Sequence, residues 1–316
     1  MPQRLPVTVV AGFAGAGKST LIDHWLGGRP AGERWAVLAN ASAAEPSLRL
    51  PIGRYRVVGG CACCTAQASA RSALIELLRA GPWARIVVEL DGAAHPAALV
   101  DLLRRPPFDA LLRVDDLVTV VDAARPAPFE AEPMHPLAHA QVEVAARIVL
   151  NRADQLAEAR RAALVRRLAD APPFGRAVEV TDDGQSAWTR GVDPGSGLDR
   201  TRGLDEPAGA PGTPASQPVQ WRWPADRIFD RPRLQALIAA WPARLPLSHA
   251  IGVFRTERDW YQWRFDGSGV SWEASAYRLE SRLQLYVDPQ RLVEIAAPLP
   301  ASIEAELAGA VNPAPA

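Results

Sequence analysis

Residues Val7 to Leu21 read V-T-V-V-A-G-F-A-G-A-G-K-S-T-L, and this stretch decides the fold. The β-branched run Val7 to Val10 predicts a buried strand. Gly12, Gly15, Gly17, Lys18 and Ser19 then complete the phosphate-loop pattern G-x-x-x-x-G-K-[ST]. Glycines let the backbone bend so that its N–H groups converge on an anion. A helix beginning near Lys18 turns its positive end to the same anion. Lys18 supplies charge for the β- and γ-phosphates, and the Ser19 hydroxyl is a ligand for Mg²⁺. Gly12, Gly15, Ala16, Gly17, Lys18, Ser19 and Thr20 are thus the residues expected to line a nucleoside triphosphate. The competing explanation, a strand-to-helix turn with a chance lysine, fails to account for strand, loop and helix falling in the required order.

Working outward, the pattern repeats. Trp35 to Ala39, Tyr55 to Val58, Arg85 to Val88, Leu117 to Val121, Ile148 to Leu150 and Ala177 to Val180 read as strands, most of them apolar. Helical patterns separate most of them: one from Thr65, with Leu74, Ile75, Leu77 and Leu78 apolar, then Pro96 to Leu103, Pro136 to Ala146 and Glu158 to Leu168. Alternating strands and helices predict an α/β domain over residues 1–181, with a mainly parallel sheet covered on both faces. In such a sheet ligands collect at the carboxyl ends of the strands. Asp182 to Pro218 is rich in Gly, Pro, Ser, Thr and Asp and reads as a flexible linker. Residues 219–316 hold six of the ten tryptophans and predict a small α+β C-terminal domain with a disordered tail. Trp260 to Phe265 alternates, with Tyr261, Trp263 and Phe265 on one face; Pro289 to Ala297 reads as helix. An aromatic face can stack nucleic-acid bases, but no basic stripe accompanies it, so a packed core is expected instead.

Basic and acidic residues balance at 35 each, so no global field recruits nucleic acid or anionic lipid. No apolar run reaches membrane-spanning length, and the chain reads as cytoplasmic. The sequence does not fix the oligomeric state and leaves a homodimer open.

Three further motifs carry chemistry. Glu89, at the tip of an apolar strand and followed by Gly92, is placed to hold the Mg²⁺ shell or position water, while Gly92 lets a backbone N–H approach the γ-phosphate. Asp91 could share that role or be a solvated turn residue. Asn151-x-x-Asp154 follows a late strand; a carboxylate there accepts two hydrogen bonds from guanine, and adenine offers the wrong donors, so GTP is expected over ATP. All three cysteines of the chain, Cys61, Cys63 and Cys64, lie within four residues. Thiolates in this arrangement suit Zn²⁺ and Cu(I), with a redox cluster or small buried residues as the alternatives. A fourth ligand must come from elsewhere, or water fills the position: Glu45, His24, His95, His135 and His139 are candidates, although Pro136 argues against one helix presenting both His135 and His139.

Together, G-F-A-G-A-G-K-S-T, G-G-C-A-C-C-T, E-L-D-G-A-A-H-P, V-T-V-V-D-A and L-N-R-A-D resemble the CobW-like GTPases in order and spacing. The resemblance covers most of residues 5–181 and implies a slow GTPase that binds a transition metal through Cys61, Cys63 and Cys64 and delivers it to a client metalloprotein. Zn²⁺ is the expected metal, with Co²⁺, Ni²⁺ and Fe²⁺ as alternatives. It also assigns Lys18 and Ser19 to phosphate and Mg²⁺, Glu89 to the Walker B-like acid, and Asn151 and Asp154 to guanine. Three departures stand out. The family's N-E-F-G-E is Asn40-Ala-Ser-Ala-Ala-Glu45 here, Arg152 replaces a lysine, and the linker carries no histidine-rich stretch. The second predicts a weakened GTP preference, since Arg and Lys flank a base differently. Two other functions compete: a GTP- and metal-binding sensor with little turnover, and an ATP-dependent small-molecule kinase.

Overall fold

The computed structural model describes residues 4–39, 55–57, 67–171, 175–186, 219–287 and 299–311. It divides into two compact units, Met1–Arg200 and Thr201–Ala316.

The first unit is built on seven parallel strands: β1 (Leu5–Ala11), β2 (Trp35–Ala39), β3 (Tyr55–Val57), β4 (Arg85–Glu89), β5 (Leu112–Asp122), β6 (Arg147–Asn151) and β7 (Ala177–Val180). Their order across the sheet is β3-β2-β4-β1-β5-β6-β7. β1 lies at the centre, flanked by β4 and β5, with Val10 opposite both Glu89 and Val118. Six helices connect the strands: α1 (Lys18–Gly27), α2 (Gln67–Arg79), α3 (Pro96–Leu103), α4 (Ala127–Glu130), α5 (Pro136–Val144) and α6 (Glu158–Ala169). Because side chains alternate across each strand, two cores form. Val10, Val118 and Val120 meet Leu21, Ile22, Trp25 and Leu26 of α1 on one face. Val121, Ile148 and Leu150 meet Phe129, Ala138, Val142, Leu164 and Leu168 of α4, α5 and α6 on the other. In α2 the buried face is Ala70, Ala73, Leu74 and Leu77; Ile75 and Leu78 sit at its margin, which shifts the expected apolar stripe.

β5 starts five residues before the apolar run that announced it. Its charged first half, Arg113 to Asp116, stays in the sheet because the acids are paired: Asp115 with Arg85 and Arg113, and Asp116 with Arg147 at 2.8 Å. The opening of the expected linker also differs. Thr181 to Ser186 fold back onto this unit, where the Ser186 carbonyl accepts the indole N–H of the buried Trp25 at 3.0 Å. Residues 187–218 lie outside the described residues.

The second unit is an antiparallel sheet of β8 (Val219–Pro224), β9 (Leu247–Arg255), β10 (Trp260–Phe265), β11 (Val270–Ala274) and β12 (Glu280–Val287), in the order β11-β10-β9-β12-β8. Helices α7 (Arg231–Ala239), α8 (Trp241–Arg244) and α9 (Leu299–Ala308) supply Leu234, Ile238, Trp241, Ile303 and Leu307 to its core, with Trp221, Trp223, Phe254 and Trp263 from the strands. Trp263 and Phe265 are buried as the alternation predicts, but so is Trp260 on the opposite face, edge-on to Tyr277 and beneath the Arg278 guanidinium. The aromatic run is core on both sides. The expected helix at 289–297 lies outside the described residues.

Candidate functional site

Five strands of the first unit end at one edge of the sheet and deliver the candidate residues there: Ala11 opens the phosphate loop, Glu89 ends β4, Asp122 ends β5, Asn151 ends β6, and Thr181 follows β7. The Lys18 ammonium donates to the carbonyls of Gly12 at 2.9 Å and Phe13 at 3.1 Å, folding over the loop it belongs to. Burial lowers its pKa, while the Glu89 and Asp91 charges oppose the shift. The Ser19 hydroxyl donates to Glu89 Oε1 at 2.7 Å. Burial raises the Glu89 pKa, and the Ser19 bond and the Lys18 charge only partly offset it. A hydroxyl and a carboxylate oxygen in contact beside a phosphate loop are the hard donor set that Mg²⁺ takes alongside phosphate. These residues therefore fit the ion that the sequence implies.

Asn151 holds the loop from the other side. Its amide donates to the Ala16 carbonyl at 2.9 Å, and its Oδ1 accepts the Arg152 N–H at 2.8 Å. Gly17, at φ 103°, is needed for this: a Cβ there would fall 2.3 Å from the Asn151 amide nitrogen. Arg152 has φ 56°, a conformation that costs an L-residue strain. Its guanidinium then reaches Asp122 at 2.7 Å instead of lying free beside a base. Asp154 stands exposed in the short 3₁₀ turn that follows, with Oδ2 accepting from Gln155 at 2.5 Å. Gly184 also borders this corner, near the Thr20 methyl and the Asn151 amide.

Gly92 approaches the loop so closely that a Cβ on it would fall 2.2 Å from the Ala14 nitrogen. The Asp91 carboxylate accepts the Ala93 N–H at 2.9 Å and so braces the turn. Phe13 packs edge-on against Phe129, with ring centroids 5.6 Å apart, and against His135 at 6.1 Å.

Several residues here were given no role by the sequence motifs, although Asp122 stands in V-T-V-V-D-A. Asp122 receives Arg125 at 2.8 Å as well as Arg152, and Arg125 donates to the Ala14 carbonyl at 2.9 Å. Burial pushes the Asp122 carboxyl up, but bonds from Arg125, the Ala124 N–H and Arg152 outweigh it and hold the group below its ordinary value. Its position at a strand tip was the available signal. Gln141 and Gly184 carried none, one lying mid-helix and the other within a stretch that looked like linker.

Cys61, Cys63, Cys64 and Glu45 lie outside the described residues. Among the described residues no three His, Cys, Asp or Glu side chains gather as a metal site would require. His24 and His95 are exposed on their own, His135 caps α5 by accepting the Leu137 N–H, and His139 lies 3.7 Å from Glu143. Nor is any described helix long and apolar enough to cross a membrane.

A family model described as CobW/HypB/UreG, nucleotide-binding domain, matches residues 6–175. The Zinc chaperone CobW of Pseudomonas aeruginosa is 32% identical over 188 residues, which is 48% of this chain and 50% of that protein. The Zinc chaperone YeiR of Escherichia coli K12 is 31% identical over 119 residues, 36% of each chain. This chain therefore spans half or less of the length of these curated relatives. Among solved structures, the Zn(II)-bound YjiA GTPase from E. coli aligns over 98% of this chain and 99% of its own, at 18% identity and a TM-score of 0.46.

Proposed function

Because this chain belongs to the CobW/HypB/UreG family, we propose that it is a slow, GTP-hydrolysing carrier of a transition metal. The observation that carries the nucleotide half is the Asn151 amide bonded to the Ala16 carbonyl at 2.9 Å. It ties the turn bearing Asp154 to the phosphate loop, so that base and phosphates are read by one rigid corner. Asp154 is exposed where its carboxylate can accept the paired donors of guanine, and adenine would leave that carboxylate unmatched.

On binding, the triphosphate takes the place of the Gly12 and Phe13 carbonyls as the partner of Lys18. Ser19 and Glu89 are the residues that would hold Mg²⁺, which neutralises charge on the β- and γ-phosphate oxygens when bound. Gly92 presents its backbone to the γ-phosphate, and the fixed loop supplies the rest by positioning.

The metal half rests on sequence. Cys61, Cys63 and Cys64 offer three soft ligands for Zn²⁺ as cargo, and the similar proteins named zinc chaperones support that choice. Delivery to a client metalloprotein follows if the bound nucleotide changes the hold on the metal.

The test pairs two titrations. Fluorescent GTP should bind the parent at least tenfold more tightly than the ATP analogue, and Lys18→Ala should abolish both. Zinc should bind the parent and not the Cys61→Ser, Cys63→Ser, Cys64→Ser triple variant. Tighter ATP binding would replace this reading with a kinase. Unchanged zinc affinity in the triple variant would remove the cysteine site.

A further inference from the structure

Gln141 is fully buried on α5, far from every sequence motif, yet its side chain reaches into the nucleotide corner. Its Nε2 donates to the Gly92 carbonyl at 3.2 Å. Its Oε1 is buried without a hydrogen-bond partner among the described residues. Its own backbone carbonyl accepts the buried Thr119 hydroxyl of β5 at 2.6 Å. An amide left half-satisfied in a dry interior is a net cost, and a Met or Leu of similar volume would avoid it. Such a group needs a purpose that packing does not supply.

The purpose is visible in what it holds. Gly92 sits between two restraints, the phosphate-loop backbone at Ala14 and the Gln141 amide. The first blocks movement toward the loop. The second fixes the Gly92 carbonyl from the α5 side, and with it the backbone angles that aim the Gly92 N–H. Thr119 in turn anchors the backbone of Gln141 to the strand beside β1. We propose that Gln141 is a positioning residue for γ-phosphate recognition: it pre-aims Gly92, so that the protein distinguishes GTP from GDP at this residue.

This inference rests on the GTP-binding reading, and the experiment separates the two. Affinities for GDP and for a non-hydrolysable GTP analogue are measured, with Mg²⁺, on the parent chain and on Gln141→Met and Gln141→Leu. Both variants stay close to glutamine in volume and remove the Nε2 donor without offering another. The GTP-over-GDP affinity ratio should fall by about tenfold in each, the equivalent of one hydrogen bond to a charged oxygen, with GDP affinity unchanged. A purely structural role would lower the melting temperature and weaken both nucleotides equally; that result, or an unchanged ratio, overturns the proposal. A parent that favours neither nucleotide also overturns it, since there is then no γ-phosphate preference to set. A parent that binds no guanine nucleotide defeats the underlying reading instead.

Discussion

Gly92→Ala is the substitution whose effect can be worked furthest from the geometry. The added methyl would lie 2.2 Å from the Ala14 nitrogen, 2.8 Å from the Ala14 Cα and 2.9 Å from the Phe13 carbonyl carbon. All three are backbone atoms, so no side chain can swing aside. Ordinary contact begins near 3.4 Å, so the two segments must part by about 1.2 Å. Inserting one methyl into a packed interior costs about 1–3 kcal/mol. The chemical cost should be larger in effect. In the proposed GTP-bound state both segments flank the γ-phosphate, and a misplacement of about 1 Å at a reacting centre lowers rates by about 10²-fold, or about 2.7 kcal/mol of barrier. The assay is single-turnover phosphate release at saturating GTP and Mg²⁺, with thermal melting in parallel. A variant that melts a few degrees lower and hydrolyses about 10²-fold more slowly fits the account. Hydrolysis within about threefold of the parent would refute it, because Gly92 could then not lie against the loop in the reacting state.

Three other outcomes follow from the same site and from the second unit. Burial raises the Glu89 carboxyl above its ordinary value of 4.5, so folding favours its protonated form. The stability this gives is full below the unfolded-state pKa and is lost as pH rises through the folded-state one. Nucleotide-free Glu89→Gln should therefore melt above the parent at about pH 8, with the gap closing toward about pH 4, while hydrolysis falls; a gap that widens on acidification contradicts the sign. Asp154→Asn should lose GTP affinity by about tenfold or more and gain xanthosine triphosphate, whose 2-oxo group accepts where guanine donates; equal losses for both nucleotides in a binding titration would place guanine recognition elsewhere. Trp241 is fully buried, edge-on to Trp263 at 5.8 Å, and donates to Glu306 at 3.0 Å. Trp241→Ala should cost about 3–5 kcal/mol in urea unfolding of the full chain, and a loss below about 1 kcal/mol would contradict the assigned core.

The inner strands of the first unit were legible because they are buried on both faces and read as largely apolar runs. Trp35–Ala39 matches the expected bounds residue for residue, and so does the exposed edge strand Ala177–Val180. Where charge enters a buried strand the signal disappears: Arg113 to Asp116 fell outside the expected strand, because the ion pairs with Arg85 and Arg147 that hold their acids there join residues distant in sequence. In the second unit, Val219–Pro224 alternates as V-Q-W-R-W-P and forms an edge strand at the position where the second domain was expected to start, although the sequence reading did not single it out as a strand. At the candidate site, motif spacing singled out Lys18, Ser19, Glu89, Gly92 and Asn151, and the structure brings these residues to one edge of the sheet. Arg125 and Gln141 stand in no quoted motif, and Asp122 stands in V-T-V-V-D-A with no role read for it. They act by bonding backbone carbonyls or other side chains across the fold, at Ala14, Gly92 and Arg152, and such partners leave no local pattern.

The central claim is that one chain binds GTP and a metal and that the bound nucleotide changes the hold on the metal. The most direct measurement is zinc affinity, by competition with a chromogenic chelator, for protein loaded with Mg²⁺ and a non-hydrolysable GTP analogue and for protein loaded with Mg²⁺ and GDP. The account predicts affinities that differ by at least about fivefold, the lower end of ordinary coupling between sites. Equal affinities would contradict it, leaving a nucleotide site and a metal site that do not communicate.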